Sequence, residues 1–213
     1  MEIIKTGGIS TDPVYKLREI SLLKFLKKKT LRTEKLLDLG CDTGDTSKVL
    51  NKIGFNVTSV DIDEERVEEL SKLQGNITFL QQNLEQKFKF EDESFDIIWA
   101  GDIIEHLIKT ENFVKECFRV LKKGGYFIIS TPYHGFIKNL LIISMNFDQH
   151  FNPWDEHIRF YTIKSLKQQL KRKKFNTLDV DKDQPLKGKL LIQMFEKASS
   201  RTRISFYLAI KQL

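Results

Sequence analysis

The sequence predicts an α/β protein built on a doubly wound, Rossmann-like parallel sheet with helices on both faces. Three observations predict it. Short apolar runs alternate with segments of helical period along most of the chain. The runs are apolar at nearly every position, the pattern of strands buried on both sides rather than one. The first run ends in a turn with glycines at 40 and 44, at the end of the sheet where such folds take ligands.

The elements follow in chain order. Residues 13–29 read as a helix ahead of the sheet. Residues 35–40 (KLLDLG) are the first strand, and residues 45–53 a helix with Asp45 as its cap. Residues 56–61 (NVTSVD) are the second strand. Residues 63–73 are helical, with acidic side chains in the first turn where the helix dipole favours them. Residues 76–81 and 95–100 (FDIIWA) are the next two strands. Residues 110–121 form an amphipathic helix that Gly124-Gly125 is expected to stop, and residues 126–131 (YFIIST) a strand ended by Pro132. The pattern loosens to about residue 160. It resumes with a helix at 162–173, a strand at 176–180 and a final apolar run at 204–210 (ISFYLAI). One domain, residues 1–213, accounts for all of it, with residues 135–160 as a lid-like insertion.

Composition narrows the function. With 40% hydrophobic and 30% charged residues, the chain is neither collagen-like nor disordered. Two cysteines make no disulfide framework, and no Cys/His spacing matches a zinc site. The first residues lack a signal-peptide pattern, and the longest apolar stretch, residues 140–145, is far shorter than a membrane span. A cytoplasmic protein is expected. The net charge of +6 hides an asymmetry. Residues 160–213 carry 13 basic and 4 acidic side chains, whereas residues 1–159 carry 22 basic and 25 acidic. The basic excess therefore belongs to the C-terminal quarter. Much of it is explained by cations closing a helix at residues 171–174, without a nucleic-acid partner.

The glycine turn reads Asp38-Leu39-Gly40-Cys41-Asp42-Thr43-Gly44. Glycines there allow a sharp turn and a close approach of ligand to main-chain N–H groups. One strand later, Asp61 is placed to accept hydrogen bonds from a ribose diol. The turn has neither Gly-x-Gly-x-x-Gly nor a P-loop, nothing basic lies near it in sequence, and its carboxylates would repel a pyrophosphate. It suits a ribose-containing ligand that brings positive charge, such as one with a sulfonium and an α-amino group.

The order and spacing of DLGCDTG, VDID, FDIIWAGDIIEHL and LKKGGYFIISTP resemble the class I S-adenosylmethionine-dependent methyltransferases. Within them the chain is most similar to the type-11/type-23 group, which includes the ubiquinone-biosynthesis O-methyltransferases, over about residues 36–175. The resemblance implies strand order 3-2-1-4-5-7-6 with residues 204–210 as an antiparallel last strand. It also implies S-adenosylmethionine as cofactor, S-adenosylhomocysteine as product, and a small-molecule acceptor, methylated at oxygen and of lipophilic or anionic character. By position, Gly40, Cys41 and Gly44 would line the methionine half, near Asp38. Asp61 would hold the ribose, Ile62 would pack on adenine, and Asn83 and Leu84 would read its edge. Ala100, Gly101 and Asp102 would sit beside the sulfonium, and Arg18 would pair with the cofactor carboxylate. Asp42 stands where the family usually has glycine; Asp tolerates positive φ, and here it is placed to contact the cofactor's ammonium.

Methyl transfer to a hydroxyl needs the nucleophile positioned and its proton removed. His106, in Glu105-His106-Leu107, resembles the family's Glu-His-Leu and is the candidate base, with Asp102 beside it. His134 follows the fifth strand as a substrate contact. His157 and Arg159 resemble the family's His-x-Arg-Phe entry to the next helix, where they face substrate or tie the lid down. Asp148, His150, Asp155, Glu156 and His157 match no metal-ligand spacing, so no metal is expected. The stripe Phe136, Leu140, Leu141, Ile143 and Phe147 favours a helix packed on the core over a lid for a lipophilic acceptor. Two other classes compete. A nicotinamide-dependent reductase would need a Tyr-x-x-x-Lys pair on a helix, and the only such spacing, Tyr207 to Lys211, lies in a strand-like run. A non-catalytic module would bind an anionic partner through the basic C-terminal end.

Overall fold

The computed structural model describes residues 22–23, 26, 34–72, 76–132, 140, 143–145, 147, 157–172, 176–177 and 189–195. Its elements are β1 (Lys35–Leu39), α1 (Asp45–Lys52), β2 (Asn56–Asp61), α2 (Glu64–Ser71), β3 (Thr78–Gln81), β4 (Phe95–Gly101), α3 (Thr110–Val120), β5 (Leu121–Pro132), α4 (Ile163–Arg172), β6 (Asn176–Thr177) and β7 (Lys189–Phe195). The sheet is parallel throughout. β1 lies between β2 and β4, with β3 outside β2 and β5 outside β4.

Alternation along the strands sorts the core into two layers. Leu37, Leu39, Ile98, Ala100, Phe127 and Ile129 face α3 and α4, meeting Phe113, Val114, Cys117, Leu166 and Leu170. Leu36, Val57, Ile97, Trp99 and Ile128 face the other way, against Leu50 and Phe55 and against Leu22 and Leu26, both helical. Each such side chain, fully buried, stabilises the fold by about 1.5–3 kcal/mol before the entropy of ordering it is counted. Both faces are covered, as the apolar strands require.

Several expectations are corrected. Asp45 does not cap α1: the cap is Gly44, in the left-handed region with φ 71° and without a side-chain bond. Asp63, by contrast, caps α2 by accepting from Arg66 N. Gly124-Gly125 does not stop α3, which ends at Val120. The glycines lie within β5, where the register against β4 shifts between the Phe95 and Ile97 pairings. A Cβ on Gly125 would come within 2.7 Å of the Asp96 carbonyl, so the sheet backbone itself excludes a side chain there. The expected antiparallel strand at 204–210 lies outside the described residues. The strand beside β5 is β7, and it runs parallel to both β5 and β6. Its sequence, KLLIQMF, contains the continuous apolar run of a parallel strand, but the longer run ISFYLAI draws attention away from it.

The helix proposed to pack on the core is also different. Leu140, Ile143, Met145 and Phe147 are helical but exposed, Ile143 by 60%. The apolar stripe is real; among the described residues it faces outward.

Candidate active site

The register of the central strands brings the predicted residues to one edge. Leu39 pairs with Val60 on one side and with Ala100 on the other, so Gly40, Asp61 and Gly101 leave three adjacent strands side by side. Gly40 needs its φ of +71°, and a Cβ there would lie 2.0 Å from Ile103 Cδ1. The turn after β1 is thus pressed directly against the loop after β4.

The turn's main-chain N–H groups are largely spent within the protein, contrary to the expectation that they face ligand. Gly40 N and Cys41 N both donate to the Val60 carbonyl, and Gly44 N donates to that of Cys41. Asp42 N donates to Asp61 Oδ2 at 2.9 Å, and Asp63 N to Asp61 Oδ1 at 3.1 Å. Asp61 is buried, and these two bonds fix its carboxylate plane while each oxygen keeps a lone pair for a further donor. What the turn offers a ligand is therefore shape and an oriented carboxylate.

Asp38 is buried and accepts from Ser47 Oγ at 2.6 Å, which ties β1 to α1. Cys41 is buried too. Burial, then the charges of Asp38, Asp61 and Asp42, push its thiol far above its ordinary value, so it is a packing group and no nucleophile. Asp42 adopts φ 45°, as its position demands. Its carboxylate pairs with Arg66 Nη1 at 2.6 Å, which leaves it a weaker partner for an ammonium than the sequence implies. Arg66 is the cation that sequence reading missed. It lies 24 positions from Asp42, and only the packing of α2 beside the turn brings it back.

Ile62 is 64% exposed, an open apolar surface at the end of β2. Asn83 turns the chain after β3, its Oδ1 accepting from Glu85 N. The side chain of Leu84 is buried in the core layer. Ala100 is likewise buried. Gly101 lies over Trp99, whose ring a Cβ would meet at 2.8 Å. Asp102, with φ 55°, is locked to β5: its N–H donates to the Ser130 carbonyl, and Ser130 Oγ donates to its Oδ1 at 2.8 Å.

The side of the site where His106 lies is assembled from remote pieces. Ile158 N donates to the Glu105 carbonyl at 3.1 Å. Arg159 donates from Nε to the Leu107 carbonyl at 2.9 Å and from Nη2 to that of Ile108 at 2.6 Å. Arg159 thus ties the segment down, the structural half of the expectation for it. The same bonds set His157 against His106, ring centroids 4.8 Å apart and tilted by 44°. One donor atom from each of Glu105, His106 and His157 lies within 4.8 Å of the others. Glu105, named in the sequence only as part of the Glu-His-Leu motif, is 1% exposed, and its Oε2 accepts from Thr131 Oγ1 at 3.0 Å. Arg18, His134 and His150 lie outside the described residues.

Residues 37–129 match the family model described as a methyltransferase domain. Over this stretch the chain is similar to S-adenosylmethionine-dependent methyltransferases. A probable S-adenosylmethionine-dependent methyltransferase of Mycolicibacterium smegmatis is 31% identical over 119 residues, which are 56% of this chain and 44% of the relative. The ubiquinone biosynthesis O-methyltransferase of Coxiella burnetii is 30% identical over 143 residues, 61% of each chain. The chain thus spans between 44% and 61% of the length of these curated relatives. The YcgJ protein of Bacillus subtilis shares the fold, with TM-score 0.61 and 23% identity, over 75% of this chain and 69% of that one. The model of the aspartate/ornithine carbamoyltransferase carbamoyl-phosphate-binding domain also matches residues 155–213. That segment supplies α4, β6 and β7, and β7 pairs with β5, so its described part belongs to the same sheet.

The residues present fit S-adenosylmethionine. Asp61 offers an oriented acceptor for a ribose, Ile62 an open apolar face, and Gly40 a main chain with no side chain of its own. Among the described residues, no helix is long and apolar enough to cross a membrane.

Proposed function

We propose that this chain is a single-domain methyltransferase that moves a methyl group from S-adenosylmethionine to oxygen on a small-molecule acceptor. The observation that carries the reading is Asp61: a buried carboxylate, oriented by two N–H groups, beside a turn whose glycine admits no side chain. Oxygen as the accepting atom is supported by the name of the Coxiella relative and by imidazole at the acceptor side. When bound, the cofactor supplies an electrophilic methyl carbon on a sulfonium. The protein's part is positional. Asp61 takes the ribose hydroxyls, Ile62 lies on the adenine and Asn83 meets its edge. Gly40, Cys41 and Gly44 border the methionine half, with Asp38 behind them holding the turn through Ser47. Asp102 and Gly101 shape the reacting end, and His106 faces the acceptor. His134, His157 and Arg159 border the acceptor space, which accepts a lipophilic or anionic molecule. Arg18 pairs with the cofactor carboxylate. The reaction belongs in the cytoplasm.

Isothermal titration with S-adenosylhomocysteine tests this directly. Binding is expected for the wild type and about 10–100-fold weaker for Asp61→Asn, the loss of one charged acceptor from a buried site. NADH binding with no response to S-adenosylhomocysteine would sink the reading in favour of a reductase. Silence towards both nucleotides would favour a non-catalytic module.

A further inference from the structure

Glu105, His106 and His157 come from two segments 51 positions apart, and they meet for a reason visible in the backbone. Ile158 N on the Glu105 carbonyl and Arg159 on the carbonyls of Leu107 and Ile108 lay residues 157–159 along residues 105–108. A loop tie alone would need no charge at position 105. A neutral amide there would accept the Thr131 hydroxyl as well as Glu105 does, without the cost of burying an ionisable group. A carboxyl that is 1% exposed, beside two imidazoles, implies a use for the charge.

Resting on the methyltransferase reading above, we propose that these three side chains act as one proton-accepting unit for the acceptor hydroxyl. His106 is the base, and Glu105 and His157 are positioning residues. An imidazole's tautomer is set by the hydrogen bond its other nitrogen makes, and a nearby anion in a dry site stabilises the imidazolium. The two rings are in contact, so a proton held by one is felt directly by the other. The step balances simply. A lone pair on the acceptor oxygen forms the new C–O bond, and the S–C pair returns to sulfur as a neutral thioether. The O–H pair stays on oxygen, and the proton passes to the His106 ring.

The surrounding charges are consistent with this role. Arg159 directs its guanidinium to the Leu107 and Ile108 carbonyls, and Asp102 is engaged by Ser130. Glu85 accepts from the Ile108 and Lys109 amides ahead of α3, and Lys109 borders the same rim. Tyr161 stays neutral, its hydroxyl pushed up by burial.

The test is an NMR titration of histidine ring nitrogens in the full chain, for wild type, Glu105→Gln and His157→Gln, each checked for S-adenosylhomocysteine binding. Glu105→Gln keeps the Thr131 bond and removes only the charge. It is expected to lower the His106 midpoint by about one pH unit, a tenfold loss of proton affinity, with cofactor affinity within twofold. His157→Gln is expected to collapse two coupled steps at His106 into one. An unmoved His106 midpoint in both variants would overturn the proposal. So would Mg²⁺ or Zn²⁺ that shifts both rings at micromolar concentration, since that makes the cluster a cation site. If wild type ignores S-adenosylhomocysteine while the histidines remain coupled, the methyltransferase reading fails and the cluster stands.

Discussion

The two halves of the site are built in different ways. The half proposed to hold the cofactor, from Gly40 to Asp63, is nearly local: a turn and the end of the adjacent strand, joined by hydrogen bonds over at most about twenty residues. The acceptor half is stitched across the chain, with Ser130 and Thr131 on β5 holding Asp102 and Glu105, and Arg159 holding Leu107 and Ile108. The first half owes its shape to backbone conformation, the second to side chains that arrive from elsewhere. A ligand common to a family can be served by the first arrangement. The second allows the acceptor to be changed by altering any one of several segments.

Substitutions can break this contrast, beginning with the largest effect. Gly40→Val is expected to destabilise the protein by about 3 kcal/mol, combining a positive φ with a side chain driven into Ile103. A lowered urea midpoint would show it. A midpoint within experimental error of wild type would mean that the turn is not a rigid element. Arg159→Met removes two bonds to main-chain carbonyls and is expected to cost about 1–2 kcal/mol. Hydrogen exchange should accelerate at Ile158 and leave the Asp42 and Asp63 amides unchanged; equal acceleration at both places would erase the distinction between the halves. The smallest effect belongs to Arg66→Met. Its pairs with Asp42 and Asp63 are well exposed, so the expected loss is below about 1 kcal/mol. A tenfold change in S-adenosylhomocysteine affinity in that variant would instead place the Arg66–Asp42 pair within the cofactor site.

What could be read from the sequence follows the same division. DLGCDTG and VDID were legible because the residues that form the turn are neighbours in the chain. The five-strand parallel core was legible because each strand carries its own apolar run. Arg66 was not, since its meeting with Asp42 depends on how α2 packs. Glu105 was legible as part of the Glu-His-Leu motif but its burial was not, because burial of a carboxylate leaves no mark on a sequence. Gly124-Gly125 reads as a helix stop in one dimension and is an irregularity in β5 in three. The stripe from Leu140 to Phe147 shows that periodicity identifies an amphipathic helix without identifying what its apolar face meets.

The contact between Gly40 and Ile103 has a consequence for how such an enzyme can be altered. On the proposed reading it is the place where a turn serving the donor and a loop serving the acceptor share a single van der Waals surface. An engineer seeking new acceptors has latitude at the exposed Ile108, Ile158 and Phe160, whose substitution leaves the turn untouched. Position 103 has no such latitude. Exchanging it for a better acceptor fit would register first as poorer donor binding, and a selection for new substrates would discard the variant before its specificity was ever seen.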